Sequence, residues 1–540
     1  MPNRIFRRAL FSSSAIALLV GAASAQVQAP DAAPALTASP SGGPKLEDIV
    51  VTADRKHSYS ADLVQAGSFR GARAIDTPLT VSVIPAEVIN SQQAVGLLDA
   101  LKNTAGVTSS QTAPIVFNNI AIRGIAVDNR GNFRLNGALP IINLIDLPLE
   151  DKDRVEALKG ASALYYGFTT PSGIINMTMK RPTMKPFVTT TLFGNNYGAI
   201  AGAVDAGGTS GMFGARINAV YGSVDYGIDH TRGVRSLISG AFDFKPTDRL
   251  TFSFDAEHIF KKVNEPGVYR FVAPFPTSTA ANPYPAITLP PLINQKTNFG
   301  PTWARNVASE TNLLANANWK ISDAWALTVS AGTSRERRTR ISSTLNPVKR
   351  GPTDLNDLLI LIQPDATYRN RYLRAELAGT FNLGPLNNEV LVGVTKNQRD
   401  QFTSNSVAVN CTATNTATLS PVSAATGVRA CQQNIFNPIA IPQIGIPLRA
   451  GTLSRIDDLG FYAFDRIKFH EWLQLLGGVR KSDYKESNLT TGAITTKVKP
   501  TSISYGAVIK PKSWASFYAT YIEGLETTPL APITANNAGQ

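Results

Sequence analysis

The chain has 540 residues, 43% hydrophobic and 17% charged, with a formal net charge of +13. That length exceeds one ordinary domain, and the positive charge is spread without a Lys/Arg block carrying interleaved aromatics, which argues against a nucleic-acid surface. No segment past the N-terminal region holds the roughly 18 apolar residues of a spanning helix, so any passage through a membrane requires a closed barrel of strands.

Arg4, Arg7 and Arg8 precede the apolar run Ala15–Val20, and Ala23-Ser24-Ala25 offers a small-residue cleavage site. This is the pattern of a secretory signal peptide over residues 1–25. The Ala/Pro/Ser-rich stretch that follows predicts a disordered linker over residues 26–60. Within it, Glu47, Asp48, Ile49, Val50, Val51, Thr52 and Ala53 form an acidic pair leading into a β-branched run. Such a segment can add as a strand to a partner's sheet edge; an ordinary first strand is the alternative.

Residues 61–182 mix helical and strand patterns. Leu79–Ile84 reads as a strand, and Pro85 suits the first turn of a helix running to about Lys102, with Val88, Val95, Leu98 and Leu101 on one face. Ile120-Ala121-Ile122-Arg123-Gly124 reads as a strand entering a turn, and Asp128–Asn136 as an exposed polar loop. Arg154–Lys159 and Gly173–Lys180 read as two strands joined by a loop of Gly, Ser, Thr, Pro and Tyr.

From Phe187 the pattern changes to period two. Leu250, Phe252, Phe254, Ala256 and Phe260 share one face while Thr251, Ser253, Asp255 and Glu257 share the other. Leu373, Ala375, Leu377, Gly379 and Phe381 likewise oppose Arg374, Glu376 and Thr380. Apolar-out, polar-in alternation suits a membrane barrel, although a soluble sandwich has the same period. Turn lengths favour the barrel. Short turns at 245–249, 322–324, 384–388, 470–471 and 511–513 alternate with long connections such as 261–309 and 401–457. Trp319, Trp325, Trp472 and Trp514 flank the short turns, as an interfacial aromatic girdle requires. About thirteen strands can be counted up to Ile522.

The stretch DRVEALKGASALYYGFTTPSGIINMTMKRP, Asp153–Pro182, resembles the end of the plug domain of TonB-dependent outer-membrane receptors. Asp153, Arg154, Glu156, Lys159, Gly160, Tyr166, Gly167, Pro171, Gly173, Asn176, Lys180, Arg181 and Pro182 fall where that pattern expects them or a near equivalent. Ala161 and Ser172 depart from its usual Pro and Gly. The run beginning TPLTVSVIPAEVI and the Ile122-Arg123-Gly124 motif resemble the siderophore-receptor branch. The resemblance implies an α+β plug domain over 61–182, followed by a transmembrane antiparallel β-barrel over 187–540. The family barrel has about twenty-two strands, so the expectation is a C-terminally truncated chain carrying the plug and roughly the first half of the barrel.

The function it implies is active import of a ferric siderophore across the outer membrane of a Gram-negative bacterium. TonB would pair with residues 47–53, and lipid of the outer membrane would surround the barrel. Another cargo (cobalamin, haem or an oligosaccharide) is the alternative, then a passive porin-like channel or a secreted β-rich enzyme.

No catalytic constellation stands out: there is no P-loop and no GxSxG turn, and His57, His230, His258 and His470 are scattered without metal-ligand spacing. Neither a metal site nor a cofactor is expected, because the siderophore itself carries the iron. Aromatic and basic groups should hold the chelate's organic shell and its charge. Candidates are Tyr165, Tyr166 and Phe168, then Asn129, Arg130 and Phe133, with Arg123 equally suited to packing on the barrel wall. Arg154 and Glu156 are expected to form plug–barrel ion pairs. Export into an oxidising compartment favours a disulfide between Cys411 and Cys431, with two free thiols as the alternative.

Overall fold

The computed structural model describes residues 63–64, 72–94, 96–110, 115–160, 163–269, 292–345, 355–411, 417–421, 430–446 and 450–526. The signal peptide, the linker and Glu47–Ala53 lie outside these residues.

Two strands of the conspicuous motif form the middle of a five-stranded sheet. Lys152–Lys159 pairs antiparallel with Gly173–Met179 on one side and with Thr80–Pro85 on the other. Gly173–Met179 also pairs, in parallel, with Phe133–Leu135, whose hairpin partner is Leu139–Ile141. All seven residues of Gly173–Met179 are buried, which accounts for its nearly continuous apolar run. Gly173 has φ +137°, and a Cβ there would sit 2.1 Å from the Leu158 carbonyl oxygen, so only glycine closes this pair. Val107–Ser109, Ile120–Ile122 and Ile125–Ala126 make a separate three-stranded sheet, with Arg123 and Gly124 turning at positive φ.

Two expectations for this region are corrected. The single helix over 86–102 is two short ones, Ala86–Ser91 and Leu97–Leu101. Gln93 takes φ +50° between them, a left-handed residue that stops the first helix, and Pro85 stands extended at its N-cap. The stretch 128–136 is not an exposed loop, because Phe133–Leu135 enters the sheet and is wholly buried.

The described residues of 187–522 form one wall of strands, antiparallel but for a short parallel pairing of Val268–Tyr269 with Trp325–Leu345. Of the eighteen strands in this sheet, thirteen have eight or more residues, from Phe187–Gly194 to Ala515–Ile522. Five short ones of two to five residues are added from the long connections. Among the described residues the first and last long strands do not pair with each other. Side chains alternate as expected: Phe252 and Phe254 are each 42% exposed on the outer face, while Asp255 and Glu257 are buried against the plug. Trp319, Trp472 and Trp514 stand exposed beside the short turns. At the opposite rim, the described residues 292–304, 405–411 and 430–446 are built into the wall and its buried clusters. Val407–Cys411 and Cys431–Gln433 extend the wall along Asn356–Leu383. Cys411 and Cys431 are disulfide-bonded within a buried cluster that includes Phe299, Ile341, Ile360 and Ile435.

Ion pairs bind the plug to the wall. Lys152 reaches Glu257 at 2.5 Å and its neighbour Asp151 at 2.6 Å, with all three side chains at most 1% exposed. Glu150 meets Arg235, Asp146 meets Lys261, and Arg181 lies between Asp243 and Asp255. Arg154 and Glu156 pair with each other along their own strand, at 3.0 Å.

Candidate ligand site

The loop between the two motif strands folds into one helical turn, Ala163–Tyr166. This turn and the residues just after it carry three aromatic side chains, Tyr165, Tyr166 and Phe168. Tyr165 is buried as an anchor: its hydroxyl accepts from Arg374 Nη1 at 2.5 Å, and its ring meets those of Tyr166 and Tyr462 edge-on at 4.9 and 5.6 Å. Phe168 lies 4.0 Å, ring to ring, from Tyr484. Gly167 between them has φ +75°, and a Cβ would come within 2.5 Å of Asp458 Oδ2, so the loop presses directly on the wall.

A second plug loop, 128–132, stands beside the first. Asn132 holds them together, donating to the carbonyls of Thr170 and Gly173 at 3.0 and 2.7 Å. Wall strand Asn356–Leu383 supports this loop through Asn370, which donates to the Arg130 and Pro140 carbonyls, both at 3.0 Å. Arg130 bonds Gln401 at 2.6 Å, and Arg399 bonds Asp128 at 2.9 Å. Burial alone would raise the Asp128 carboxyl, but Arg399 and Arg130 beside it outweigh burial and hold it below its ordinary value.

Between the two loops and the wall lies a cavity of about 270 Å³. Arg130, Arg134, Tyr166, Phe168, Arg399 and Tyr484 are among its lining residues. Its wall residues, at positions 370, 397–399, 456, 458 and 484, lie toward the long-loop ends of their strands. Arg134 is only 3% exposed, and its Nε and Nη1 have no hydrogen-bond partner among the described residues. Its guanidinium packs on the Tyr166 ring at 5.0 Å, and burial pulls its pKa below the ordinary value. A desolvated cation with two unfilled donors is unfavourable unless an acceptor is supplied, and Arg forks match anionic or chelate oxygens.

The site therefore gathers Arg130, Tyr166 and Phe168 of the expected residues. The others lie elsewhere. Phe133 is 0% exposed in the plug core, a correction with a simple cause: its strand alternates, so the neighbouring Arg134 takes the opposite face. Asn129 pins the loop, donating to Asn119 and accepting from Asn143. Arg123 is exposed and donates to Thr80 at 3.1 Å. Arg134, Arg399 and Tyr484 were not foreseen. Alternation about Phe133 is the signal for Arg134; nothing local marks the two wall residues. Among the described residues no group of His, Cys, Asp and Glu is set to hold a metal.

Residues 73–174 match the TonB-dependent receptor plug domain family, and residues 256–540 match the TonB-dependent receptor-like β-barrel family. The ferrichrome receptor FcuA of Yersinia enterocolitica is 25% identical over 487 residues, covering 86% of this chain and 60% of that protein. The ferric-pyoverdine BN7/BN8 receptor of Pseudomonas putida is 22% identical over 337 residues, covering 60% of this chain and 39% of that one. The crystal structure of BauA, the ferric preacinetobactin receptor from Acinetobacter baumannii, superposes with a TM-score of 0.72 at 20% identity, covering 89% of this chain and 70% of that one. The chain thus spans about 60% of the length of FcuA. With a plug match at one end and a barrel match over more than half its length, this chain belongs to the TonB-dependent receptors.

Proposed function

We propose that this protein binds a ferric siderophore from outside the outer membrane and passes it inward at the expense of energy delivered by TonB. The observation that carries the reading is the buried, partner-seeking face of Arg134 on Tyr166, opening into a cavity on the long-loop side of the plug. Aromatic rings take the organic shell of the chelate while Arg134, with Arg130 and Arg399 beside it, meets its oxygens. The iron arrives with its own ligands, so the protein brings no cofactor to the event. Residues 47–53 add as a strand to TonB, and traction on them rearranges the plug, whose buried ion pairs with the wall hold the path shut at rest. The relatives are described as receptors for ferrichrome and ferric pyoverdine, which supports a siderophore over cobalamin, haem or an oligosaccharide.

The test is fluorescence quenching of the purified protein in detergent by ferrichrome, ferrioxamine B and ferric pyoverdine, with haem and cobalamin as competitors. Saturable binding of a ferric chelate that weakens about tenfold or more in Arg134→Ala is expected. Binding of haem or cobalamin alone would overturn the siderophore reading. Deleting residues 47–53 should abolish uptake and leave binding intact; uptake that survives would sink the TonB-driven mechanism.

A further inference from the structure

Two wall arginines grip the ligand-bearing turn from behind. Arg374 stands on strand Asn356–Leu383 and Arg480 on strand Leu473–Asn488, and they are 2% and 0% exposed. Arg374 donates from Nη1 to the Tyr165 hydroxyl and from Nη2 to Ser330 Oγ at 3.3 Å. Arg480 donates from Nη1 to the Tyr165 carbonyl at 3.4 Å, from Nη2 to Thr395 Oγ1 at 3.0 Å and from Nε to Ser482 Oγ at 3.0 Å. Tyr462, on strand Gly451–His470, sets its ring 5.6 Å from that of Tyr165 and 5.8 Å from the Arg480 guanidinium. Its own hydroxyl is held by Glu376, to which it donates at 2.6 Å.

The wall is shaped around this grip. A Cβ at Gly460 would overlap the Arg480 guanidinium, and one at Gly478 would come within 2.7 Å of Leu164 Cδ2, so the two glycines leave room for the arginine and for the turn. The grip and the ligand face fall on different sides. Tyr166 and Phe168 line the cavity, whereas Tyr165, Arg374 and Arg480 are not among its lining residues. Four residues make a single helical turn, too short to keep its shape unaided. Its conformation is therefore imposed from outside, by bonds from charged donors in a desolvated setting, where such bonds are strongest.

We propose that Arg374 and Arg480 are positioning residues for ligand binding. They hold residues 163–168 in the arrangement that lays Tyr166 on Arg134 and Phe168 on Tyr484, so affinity depends on side chains that never touch the ligand. This rests on the reading of the cavity as the chelate site. Positioning has a signature that contact lacks. When loosening leaves only a fraction of molecules with the turn in place, every ligand loses affinity by that same fraction. A residue that touches the ligand costs different ligands different amounts.

The experiment titrates the purified full chain in detergent with ferrichrome, ferrioxamine B and ferric pyoverdine, as parent, Tyr165→Phe, Arg374→Met and the double variant. Tyr165→Phe keeps the ring and removes only the hydroxyl. It should weaken every chelate that the parent binds by one common factor of about ten, whereas Arg134→Ala should weaken them unequally. The double variant should bind no more weakly than Arg374→Met alone, because both changes break one bond, while Tyr165→Phe and Arg134→Ala should multiply. Hydrogen exchange without ligand reads the turn itself. Amides of residues 163–168 should exchange about tenfold faster in Tyr165→Phe, with Thr80–Pro85 and Phe133–Leu135 at parental rates to report an intact plug. Parental exchange at 163–168 would overturn the grip. Unequal losses among chelates in Tyr165→Phe, or losses that multiply between Tyr165→Phe and Arg374→Met, would overturn the positioning role. A parent that binds no chelate would sink the functional reading instead, with the exchange result still deciding whether the arginines hold the turn.

Discussion

Replacing Lys152 by Met tests whether buried ion pairs hold the plug in place. The ammonium is 1% exposed and bridges Asp151 and Glu257 at 2.6 and 2.5 Å, so no solvent screening softens the loss. Met keeps the volume of the stem but leaves two desolvated carboxyls facing one another. Breaking a buried pair in this way costs about 3–5 kcal/mol. At the lower end the opening equilibrium of the plug rises roughly a hundredfold. Hydrogen–deuterium exchange of peptides covering Lys152–Lys159 and Gly173–Met179 reads this directly, whereas circular dichroism would be dominated by the wall. The pH dependence supplies a second constraint. Burial raises the Asp151 carboxyl from 3.8 to about 6, Lys152 pulling it down and Glu257 pushing it further up. A carboxyl raised in the folded state stabilises the fold below its unfolded pKa, and that contribution fades as pH rises through the folded value. Without Lys152 the carboxyl rises further, so the deficit of the variant should grow as pH rises through 6 and shrink toward pH 4. Equal protection of parent and variant from pH 5 to pH 8 would refute the reasoning.

Two other expectations separate structural from ligand-facing residues. Phe133→Ala removes a fully buried ring from the plug core and should destabilise the plug by about 3–5 kcal/mol; Arg134→Ala should leave exchange protection near parental while chelate binding falls. Opening the disulfide in Cys411→Ser/Cys431→Ser, whose cysteines are 20 residues apart, should cost about 3 kcal/mol. Limited proteolysis should then cut within 405–446 first, with the strand Leu250–Asn264 still protected.

Much of the architecture is written in short-range pattern. The thirteen long strands, the contrast of short and long connections and the outward aromatic residues follow from period two and from turn composition. Both are properties of neighbouring residues. The motif at Asp153–Pro182 is legible for the same reason, since a buried hairpin and its glycines occupy one contiguous stretch. A single left-handed residue, Gln93, interrupts the otherwise helical pattern over 86–102, and side-chain periodicity carries no sign of that break.

The binding face is another matter. Arg130 and Phe133 stand three positions apart in one polar stretch, yet one lines the cavity and the other is sealed in the core. Which of them does which depends on Phe133–Leu135 pairing with Gly173–Met179, a partner some forty residues away. Asp128 and Arg399 meet across 271 positions, and Arg335 faces Arg369 across a strand boundary. The sequence by itself determined the elements and their two faces, because side-chain alternation is local. Only the tertiary structure decided which charges lie together, because register and the seating of the plug in the wall bring distant residues within ångströms of each other.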